Sequence, residues 1–576
     1  MDDALRQRIE EAAETNALLN AVKHDSEAQV GAIMGPLMGE NPEFREHGDE
    51  IPGIIAPVVD RVNGMDSTER RDRIAELAPE KLDEIESEDE GEDHPLPDLP
   101  NAEAGAVRMR VAPNPNGPWH IGHARMAAVI GTYKDRYDGE FLCRFDDTDP
   151  ETKRPDLDAY DAILDAIDYL GFEPDDVVRA SDRVESYYDH ARELIELGGA
   201  YTCSCPQGEF SELKNSGEAC PHREKDTATV AEEFEAMVDG EYDSGEMVLR
   251  VRTDITHKNP ALRDFVAFRM IDTPHPREEA AQYRCWPMLD FQSGVDDHLL
   301  GITHIIRGID LQDSAKRQGF VYDYFGWEYP EVVHWGHVQV DEYDVSMSTS
   351  TIGELVAEGD LDGWDDPRAP TVASLRRRGI RGAALVDAMV ELGTSTSDVD
   401  LAISSVYANN REMIDDDTDR AFFVRDDEAF GGLVERQVVG GPDAGHPPLH
   451  PDFEDRGRRD IPVDAGVVVE GDDLPDHGER VWLKGYGCVR HTRDAFEYVG
   501  DDITAVREEG VDVVHWAPAD GPALRLRTMD GDVLGVTEPG YLDYEPDDMV
   551  QFERVGFARV DRVDPDDESV SYFAHP

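Results

Sequence analysis

The chain has 576 residues, with 55 lysine and arginine residues against 127 aspartate and glutamate residues, which gives a formal net charge of −72 at pH 7. This length predicts several domains of about 150 residues each rather than one core. No apolar run reaches the length of a membrane helix, and the acidic N-terminus lacks the basic and apolar layout of a signal peptide. The sequence therefore predicts a soluble, cytoplasmic protein and excludes a membrane partner.

The basic residues are few, and most of them are arginines, since only nine are lysines. An acidic surface that retains arginine over lysine is typical of a protein working in concentrated salt, where the Debye length falls to about 3 Å at 1 M. We therefore predict an enzyme of a halophile, with an ordinary acidic protein as the alternative. Under screening of this kind, the net charge does not exclude a nucleic acid substrate.

Residues 1–100 predict a helical N-terminal extension. Apolar residues recur at helical spacing near the start, and a second apolar patch covers 51–62. The acidic run at 86–94 and the proline-rich segment at 95–100 contain too little apolar material to pack, so they predict a linker.

From residue 106 the pattern alternates between strands and helices. A strand near 106–112 precedes a helix near 122–137, and a strand at 140–145 precedes a helix near 155–170. This alternation predicts a parallel sheet with crossover helices, whose ligands bind at the carboxyl ends of the strands.

The loop after the first of these strands contains His120-Ile121-Gly122-His123, directly before a helix. Helix N-termini present unpaired N–H groups and a partial positive charge, so this loop is suited to phosphates and predicts a nucleotide site. The alternative is two loop histidines and a turn glycine.

Charged residues follow two other strands. Asp146 and Asp147 end the second strand, where they could pair with a substrate amine or, alternatively, cap a helix as solvated acids. Arg307 ends the apolar segment 302–306, where it would be either a carboxylate clamp or a surface arginine.

A cysteine and histidine pattern lies between these halves. Cys203-x-Cys205 and Cys220-x-His222 are separated by fourteen residues, a composition typical of a structural zinc site. The alternative is four buried side chains without a metal. The remaining cysteines, Cys143, Cys285 and Cys488, are predicted to be core residues.

After residue 345 the sequence pattern changes twice. A hydroxyl-rich stretch at 346–352 predicts a loop before a helix near Gly353, and a helical region follows to about 415. Arg376, Arg377 and Arg378 form a basic cluster there, which is either an RNA contact or a solvated helix face. From about 420, short alternating runs separated by Gly, Pro and Asp predict one or two β-barrels.

Several of these motifs occur together in the order seen in one family: PNPNG-x-x-HIGH (113–123), RFDDTDP (144–150), PMLDF (287–291), DDHLLGITHIIR (296–307), the Met-Ser loop (347–348) and WDDPR…LRRRG (364–379). The chain resembles class I aminoacyl-tRNA synthetases of the glutamyl/glutaminyl subgroup, most closely the archaeal glutamyl branch.

The resemblance implies a multidomain α/β and β fold with a Rossmann-type class I catalytic domain. The implied boundaries are the N-terminal extension and linker (1–100), the first catalytic half (101–200), an acceptor-binding insertion with the zinc site (201–285), the second catalytic half (286–345), the signature loop and helical stem-contact region (346–418) and a β-barrel anticodon-binding region (419–576).

The activity implied is ATP-dependent ligation of L-glutamate to tRNA(Glu) through a glutamyl-adenylate, with Mg²⁺ as cofactor and the chain acting as a monomer. His120 and His123 would be catalytic and would bind ATP, together with Asn114, Gly117, Gly122, Ser348, Thr349 and Ser350. Glutamate would be held by Arg110, Asp146, Ser293 and Arg307. The alternatives are a glutaminyl enzyme and a tRNA-binding protein without ligase activity.

The sequence departs from the family pattern at two places. Leu289 stands where relatives have a substrate-contacting tyrosine, and Thr351 stands where archaeal relatives have a lysine in the signature loop. The second change removes a phosphate-binding cation, so the loop hydroxyls and amides, the histidines, Mg²⁺ or another arginine must replace it.

Overall fold

The computed structural model describes residues 3–23, 51–65, 94–340 and 342–576, with a few single residues and short segments between 28 and 78. The chain divides into two compact units, Met1–Pro95 and Leu96–Pro576. Among the helices that are described, none is both long enough and apolar enough to cross a membrane.

The first unit is helical where it is described, as predicted. Helices α1 (Asp3–Lys23) and α2 (Ile51–Asn63) pack together through apolar side chains such as Ile9, Leu18 and Ile55. Most of the predicted linker, residues 86–93, lies outside the described residues.

The second unit begins with the predicted alternation of strands and helices. Strands β1 (Arg108–Val111), β2 (Glu140–Phe145) and β3 (Asp176–Arg179) form a parallel sheet in that order. Helices α3 (Ile121–Tyr137), α4 (Leu157–Tyr169) and α5 (Val184–Glu196) follow the successive strands. Small residues of α3, among them Ala124, Ala127 and Ala128, are fully buried and let this helix approach the sheet closely.

An antiparallel sheet interrupts this arrangement. It contains β4 (Ala200–Cys203), β5 (Val248–Val251), β6 (Phe265–Met270) and β7 (Cys285–Pro287), with α6 (Gln207–Ser216) and α7 (Thr227–Val238) between β4 and β5. A separate apolar core lies beneath this sheet, because each antiparallel strand has one face that must be buried.

The parallel strands resume with β8 (His304–Gly308) and β9 (Glu331–Trp335), which follow α8 (Leu289–Leu299) and α9 (Gln312–Phe325). The residue before β8 joins it to β1, since the Thr303 N–H donates to the Arg108 carbonyl at 2.9 Å. The strand order thus reverses between β1 and β8, and a ligand crevice is expected beyond the carboxyl ends of these strands.

A helical region links this part to the C-terminal sheets. It contains α10 (Thr349–Glu358), α11 (Val372–Arg378), α12 (Gly382–Glu391) and α13 (Ile403–Ile414), with a short pairing of β10 (Val338–Gln339) and β11 (Val399–Asp400). Helix α10 corrects the sequence prediction of a loop over 346–352. The helix begins at Thr349 because the Ser348 hydroxyl caps it, accepting from the Thr351 N–H at 3.4 Å.

The C-terminal region is built mainly of strands, as predicted, and consists largely of two seven-stranded sheets with separate cores and one short helix, α14 (Thr504–Arg507). One has the order β12-β25-β26-β27-β23-β24-β13 and the other β21-β18-β19-β20-β14-β17-β22. The strands are β12 (Asp419–Ala421), β13 (Phe423–Arg425), β14 (Leu433–Val439), β15 (Ala444–Gly445), β16 (Ile461–Pro462), β17 (Val467–Glu470), β18 (Arg480–Leu483), β19 (Gly487–His491), β20 (Ala495–Gly500), β21 (Val513–Val514), β22 (Ala517–Pro518), β23 (Ala523–Thr528), β24 (Gly531–Thr537), β25 (Met549–Phe552), β26 (Gly556–Arg562) and β27 (Ser569–His575).

Candidate active site

A cavity of about 800 Å³ lies where the segments that follow β1, β2, β8 and β9 meet. It is lined by residues of the loop that contains His120 and His123, by Asp146 and Asp149 after β2, and by the start of helix α10. The two motifs that resemble synthetase signatures therefore share one cavity. This position agrees with the crevice expected from the reversal of strand order.

The two signature histidines stack at the N-terminus of α3. Their ring centroids are 3.7 Å apart, and the Nδ1 atoms of both rings have no hydrogen-bond partner in the described part of the chain. Burial lowers the pKa of His120 to about 4. Burial, together with the charges of His120 and Lys153, lowers the pKa of His123 to about 3. Both rings are therefore neutral at pH 7 and retain ring nitrogens for a ligand.

The helical region holds this loop in place. The Ile121 N–H donates to the Pro370 carbonyl at 2.9 Å, and the Val372 N–H donates to the Trp119 carbonyl at 3.1 Å. Gly117 allows the loop to approach α10, because a Cβ at this position would lie 2.6 Å from Thr349 Cγ2. Backbone hydrogen bonds thus fix the histidine loop to the segment before α11, and the absence of a side chain at Gly117 leaves room for Thr349 beside that loop.

The signature segment itself forms a helix N-terminus at the cavity. Met347, Ser348, Thr349 and Ser350 line the cavity, and Ser348 is the N-cap of α10. The first N–H groups of a helix carry a partial positive charge and bind anions. These groups place a partial positive charge at the cavity, in a segment that contains no lysine.

A buried network of charges lies behind the cavity. Asp297 accepts from Arg110 Nε at 2.9 Å and Arg110 Nη2 at 3.0 Å, and from Arg144 Nη1 at 2.7 Å. Burial acts to raise the pKa of Asp297, but Arg110 and Arg144 outweigh it and hold this pKa below its ordinary value. Arg144 also donates from Nε to Asp146 at 2.7 Å. Arg144 therefore connects the two carboxylates.

Arg307 is the third arginine of this network, and its guanidinium makes the fewest hydrogen bonds of the three. It is 8% exposed, so the alternative of a surface arginine is wrong. Its Nη1 donates to Gln318 at 3.1 Å and its Nη2 lies 3.8 Å from Asp297, but its Nε has no partner among the described residues. Burial and the charge of Arg110 lower the pKa of Arg307. Arg144 also lies 3.9 Å from the buried Asp296, which pairs with Arg183 at 2.7 Å. Four guanidinium groups thus face three carboxylates, which leaves one positive charge in excess.

The predicted glutamate-binding residues fall into two groups. Asp146 lines the cavity, and its pairing with Arg144 and with Gln292 at 3.1 Å shows that the alternative of solvated helix-capping acids is wrong. Arg110, Arg307 and Ser293 lie in the network behind it. The Ser293 hydroxyl accepts from Arg144 Nη2 at 2.8 Å, so in this structure Ser293 holds an arginine.

The predicted ATP-binding residues all line the cavity: Asn114, Gly117, His120, Gly122, His123, Ser348, Thr349 and Ser350. Asn114 donates from Nδ2 to the Asp146 carbonyl at 3.0 Å, which joins the loops after β1 and β2. Leu289, which stands where relatives have a tyrosine, is 44% exposed at the start of α8 and also lines the cavity. This position therefore faces the ligand space, as the resemblance implies.

The sequence did not identify three residues as part of this site: Arg144, Asp297 and Gln292. A usable signal was present for the first two, because Arg144 interrupts the apolar strand β2 and Asp297 lies in a helix that is buried on that side. A charge within a buried segment requires a partner. The sequence contains no signal for which partner each charge takes.

The cysteine and histidine pattern converges at one point of the inserted sheet. The ligand atoms of Cys203, Cys205, Cys220 and His222 all lie within 4.8 Å of one another. Cys203 Sγ and Cys220 Sγ are 3.7 Å apart, and Cys205 Sγ is 3.3 Å from His222 Nδ1. A tetrahedron of Zn–S bonds of about 2.3 Å has edges of about 3.8 Å, so this donor set fits zinc.

The basic cluster in α11 separates into three different environments. Arg376 is exposed, and Arg377 pairs with Asp365 at 3.0 Å and Asp561 at 2.9 Å. Arg378 is 1% exposed and donates to the backbone carbonyls of Phe573 and Ala574 in β27. This burial corrects the expectation that Arg378 contacts RNA, because its guanidinium has no surface to offer.

Comparison with known proteins identifies two family regions. Residues 106–416 match the family of class I tRNA synthetases (E and Q), catalytic domain, and residues 418–507 match the anticodon-binding domain of the same class. A glutamate–tRNA ligase of Haloarcula marismortui is 83% identical, with all of both chains covered. Glutamate–tRNA ligases of Halobacterium salinarum (69% identical, all of both chains) and Methanosarcina acetivorans (42% identical, 98% of both chains) are also similar.

Proposed function

Because this chain belongs to the class I tRNA synthetases of the glutamate and glutamine group, we propose that it is a glutamate–tRNA ligase. It joins L-glutamate to tRNA(Glu) with ATP as the energy source. The relatives similar over the full length carry this activity in their names. Within the site, the excess positive charge of the buried Arg110, Arg144 and Arg307 network carries the assignment to glutamate.

The first step forms glutamyl-adenylate. A carboxylate oxygen of glutamate attacks the α-phosphorus of ATP, and the bond to the β-phosphate oxygen breaks so that pyrophosphate leaves with the electron pair. His120 and His123 stabilise the charge that develops on the phosphate oxygens, since their neutral rings lie in the cavity with unpaired nitrogens. No proton has to be removed, because the attacking carboxylate is already ionised.

The second step transfers the glutamyl group to tRNA. The terminal adenosine hydroxyl of tRNA(Glu) attacks the adenylate carbonyl and an ester bond forms. The bond from the carbonyl carbon to the phosphate oxygen breaks, AMP leaves with the electron pair, and the hydroxyl proton is released. The β-rich C-terminal region, whose first part matches the anticodon-binding family, supplies the distant contact with tRNA. The inserted sheet with its cysteine cluster is proposed to contact the acceptor end, and exposed Arg376 remains a proposed RNA contact.

Selectivity for glutamate follows from the charge balance of the network. A side-chain carboxylate neutralises the excess guanidinium charge and accepts hydrogen bonds from it, whereas the amide of glutamine leaves a buried cation unpaired. Stranding a buried polar group gives strong discrimination between substrates. This argument disfavours the glutaminyl alternative.

Two bound metals belong to the proposal. Zinc would be held by Cys203, Cys205, Cys220 and His222, where it would stabilise the inserted sheet. Mg²⁺ carried by the phosphates of ATP would neutralise part of their charge, and the carboxylates of Asp149 and Asp310 line the same cavity as oxygen donors. We further propose that the enzyme acts as a monomer in the cytoplasm.

Aminoacylation in molar KCl tests the assignment. The purified chain is offered glutamate or glutamine with tRNA(Glu) or tRNA(Gln), and we expect glutamate to be attached to tRNA(Glu). Charging of tRNA(Gln) with glutamine would identify a glutaminyl enzyme instead. Intact tRNA binding without charging by any pair would identify a tRNA-binding protein and overturn the proposal.

A further inference from the structure

The signature loop contains no lysine that could bind the triphosphate of ATP. The segment Ser346–Thr351 reads Ser-Met-Ser-Thr-Ser-Thr and supplies hydroxyls and the N-terminus of α10. Neither carries a full positive charge. A cation from elsewhere in the chain is therefore the residue to look for in the cavity.

Two of the three lysine and arginine residues that line the cavity are engaged by the protein. Arg125 is buried, donates to the Gly336 and Gly393 carbonyls at 3.0 and 2.7 Å, and lies over the Trp335 ring. Arg269 pairs with Asp149 at 3.1 Å and lies 3.7 Å from Glu151.

The third is Lys153, which is exposed and has no hydrogen-bond or ion-pair partner in the part of the chain that the structure describes. Carboxylates outnumber basic groups by more than two to one in this chain. An ammonium group without a carboxylate partner in the cavity is therefore available to bind an anionic ligand.

The backbone that carries Lys153 is held firmly while its side chain is free. Asp149 accepts from the Thr152 N–H at 2.9 Å and from Arg269, which closes the turn between β2 and α4. Lys153 lies on this turn, and its charge contributes to the low pKa of His123. A lysine stem of four carbons on a fixed turn can swing its ammonium group to a phosphate beside that histidine.

We propose that Lys153 binds the polyphosphate of ATP during adenylate formation and supplies the positive charge that the signature loop lacks. This role rests on the proposed function. Lys153 neutralises the charge that accumulates on pyrophosphate as it departs. It contacts phosphate only, so it has no part in the choice between glutamate and glutamine.

Four proteins test this role: wild type, Lys153→Met, Lys153→Arg, and Lys316→Met as a matched control on α9 outside the cavity. Calorimetry at constant molar KCl measures binding of ATP, inorganic pyrophosphate and adenosine. We expect Lys153→Met to weaken ATP and pyrophosphate by about 10- to 100-fold, the size of a charge-assisted hydrogen bond, and to leave adenosine unchanged. Lys153→Arg recovers most of the loss, and Lys316→Met behaves as wild type.

Glutamate-dependent ATP–pyrophosphate exchange provides the second readout. We expect Lys153→Met to slow exchange by a similar factor while its thermal unfolding midpoint matches wild type. Wild-type pyrophosphate affinity in Lys153→Met, or a loss of tRNA affinity alone, would overturn the inference. Failure of the wild type to charge tRNA(Glu) with glutamate would instead overturn the proposed function, and the pyrophosphate titrations would still decide whether Lys153 binds phosphate.

Discussion

Asp297 accepts two hydrogen bonds from one edge of the Arg110 guanidinium, at 2.9 Å from Nε and 3.0 Å from Nη2, although the two residues are 187 positions apart in the chain. This bidentate pair joins α8 to β1 behind the cavity. The same carboxylate accepts from Arg144 at 2.7 Å. Asp297 is thus the carboxylate that all three arginines share close to the proposed glutamate site.

Replacing Asp297 tests this relationship. We expect Asp297→Asn to lower the free energy of unfolding by about 3–5 kcal/mol, because Arg110 and Arg144 would remain buried without their shared carboxylate. Urea denaturation in constant molar KCl measures the change. Asp323→Asn, at an exposed position on α9, is the control and should unfold as wild type does. Equal stability of Asp297→Asn and wild type would show that the network relaxes without its acid.

The signature histidines should be essential for adenylate formation. We expect His120→Ala or His123→Ala to slow glutamate-dependent ATP–pyrophosphate exchange at least about 100-fold, roughly the contribution of one electrostatic group in a transition state. The exposed His477 of the C-terminal region, changed to alanine, should leave the rate unaltered. A loss of less than about fivefold for both signature variants would place the phosphate chemistry on other groups.

Arg307 should determine the choice of amino acid. We expect Arg307→Gln to reduce kcat/KM for glutamate by about 10- to 100-fold, since a carboxylate loses a charged hydrogen-bond donor. Discrimination against glutamine should narrow as well, because the excess positive charge is gone. Exchange assays with both amino acids measure this, with Arg192→Gln on α5 as a surface control. An unchanged preference for glutamate would show that Arg307 does not determine the choice of amino acid.

The cysteine cluster should hold one zinc ion per chain. We expect elemental analysis of the purified protein to find this ion and Cys220→Ser to lose it, because a thiolate ligand is removed from the tetrahedral set. Loss of the ion should also lower the thermal unfolding midpoint. Cys488→Ser changes a buried cysteine outside the cluster and should retain the metal. A wild-type protein without zinc that unfolds at the same temperature after chelation would contradict the assignment.

Salt should support both folding and activity. At a net charge of −72, repulsion between carboxylates opposes the compact state, and screening increases as the Debye length falls from about 10 Å at 0.1 M to about 3 Å at 1 M. We therefore expect the thermal midpoint and the charging rate to rise from dilute buffer to molar KCl. A protein equally stable and active in both would contradict adaptation to salt.

The elements next to the two histidines show how much local sequence determines. The pattern predicted a strand near 106–112 and a helix near 122–137, and the structure has them at Arg108–Val111 and Ile121–Tyr137. Apolar periodicity determines this, because each element must bury one face. The cysteine spacing likewise predicted four ligand atoms that the fold brings within 4.8 Å.

The sequence was less informative where a short segment had competing interpretations. The hydroxyl-rich stretch 346–352 predicted a loop, but a serine hydroxyl can also cap a helix, and α10 begins at Thr349. Arg378 was grouped with its neighbours as an RNA contact, yet a shift of two positions along the helix makes Arg378 face β27 while Arg376 faces solvent. Composition alone does not distinguish these positions.

By itself, the sequence determined the motifs and the strands and helices next to the two histidines, because periodicity and spacing are local properties of the chain. Only the tertiary structure decided which charges meet: Arg144 with Asp146 and Asp297, Arg307 with an unpaired Nε, and Lys153 in the same cavity as the histidines. The physical reason is that partners far apart in sequence are chosen by how strands and helices pack. The free energy of a buried charge depends on that choice.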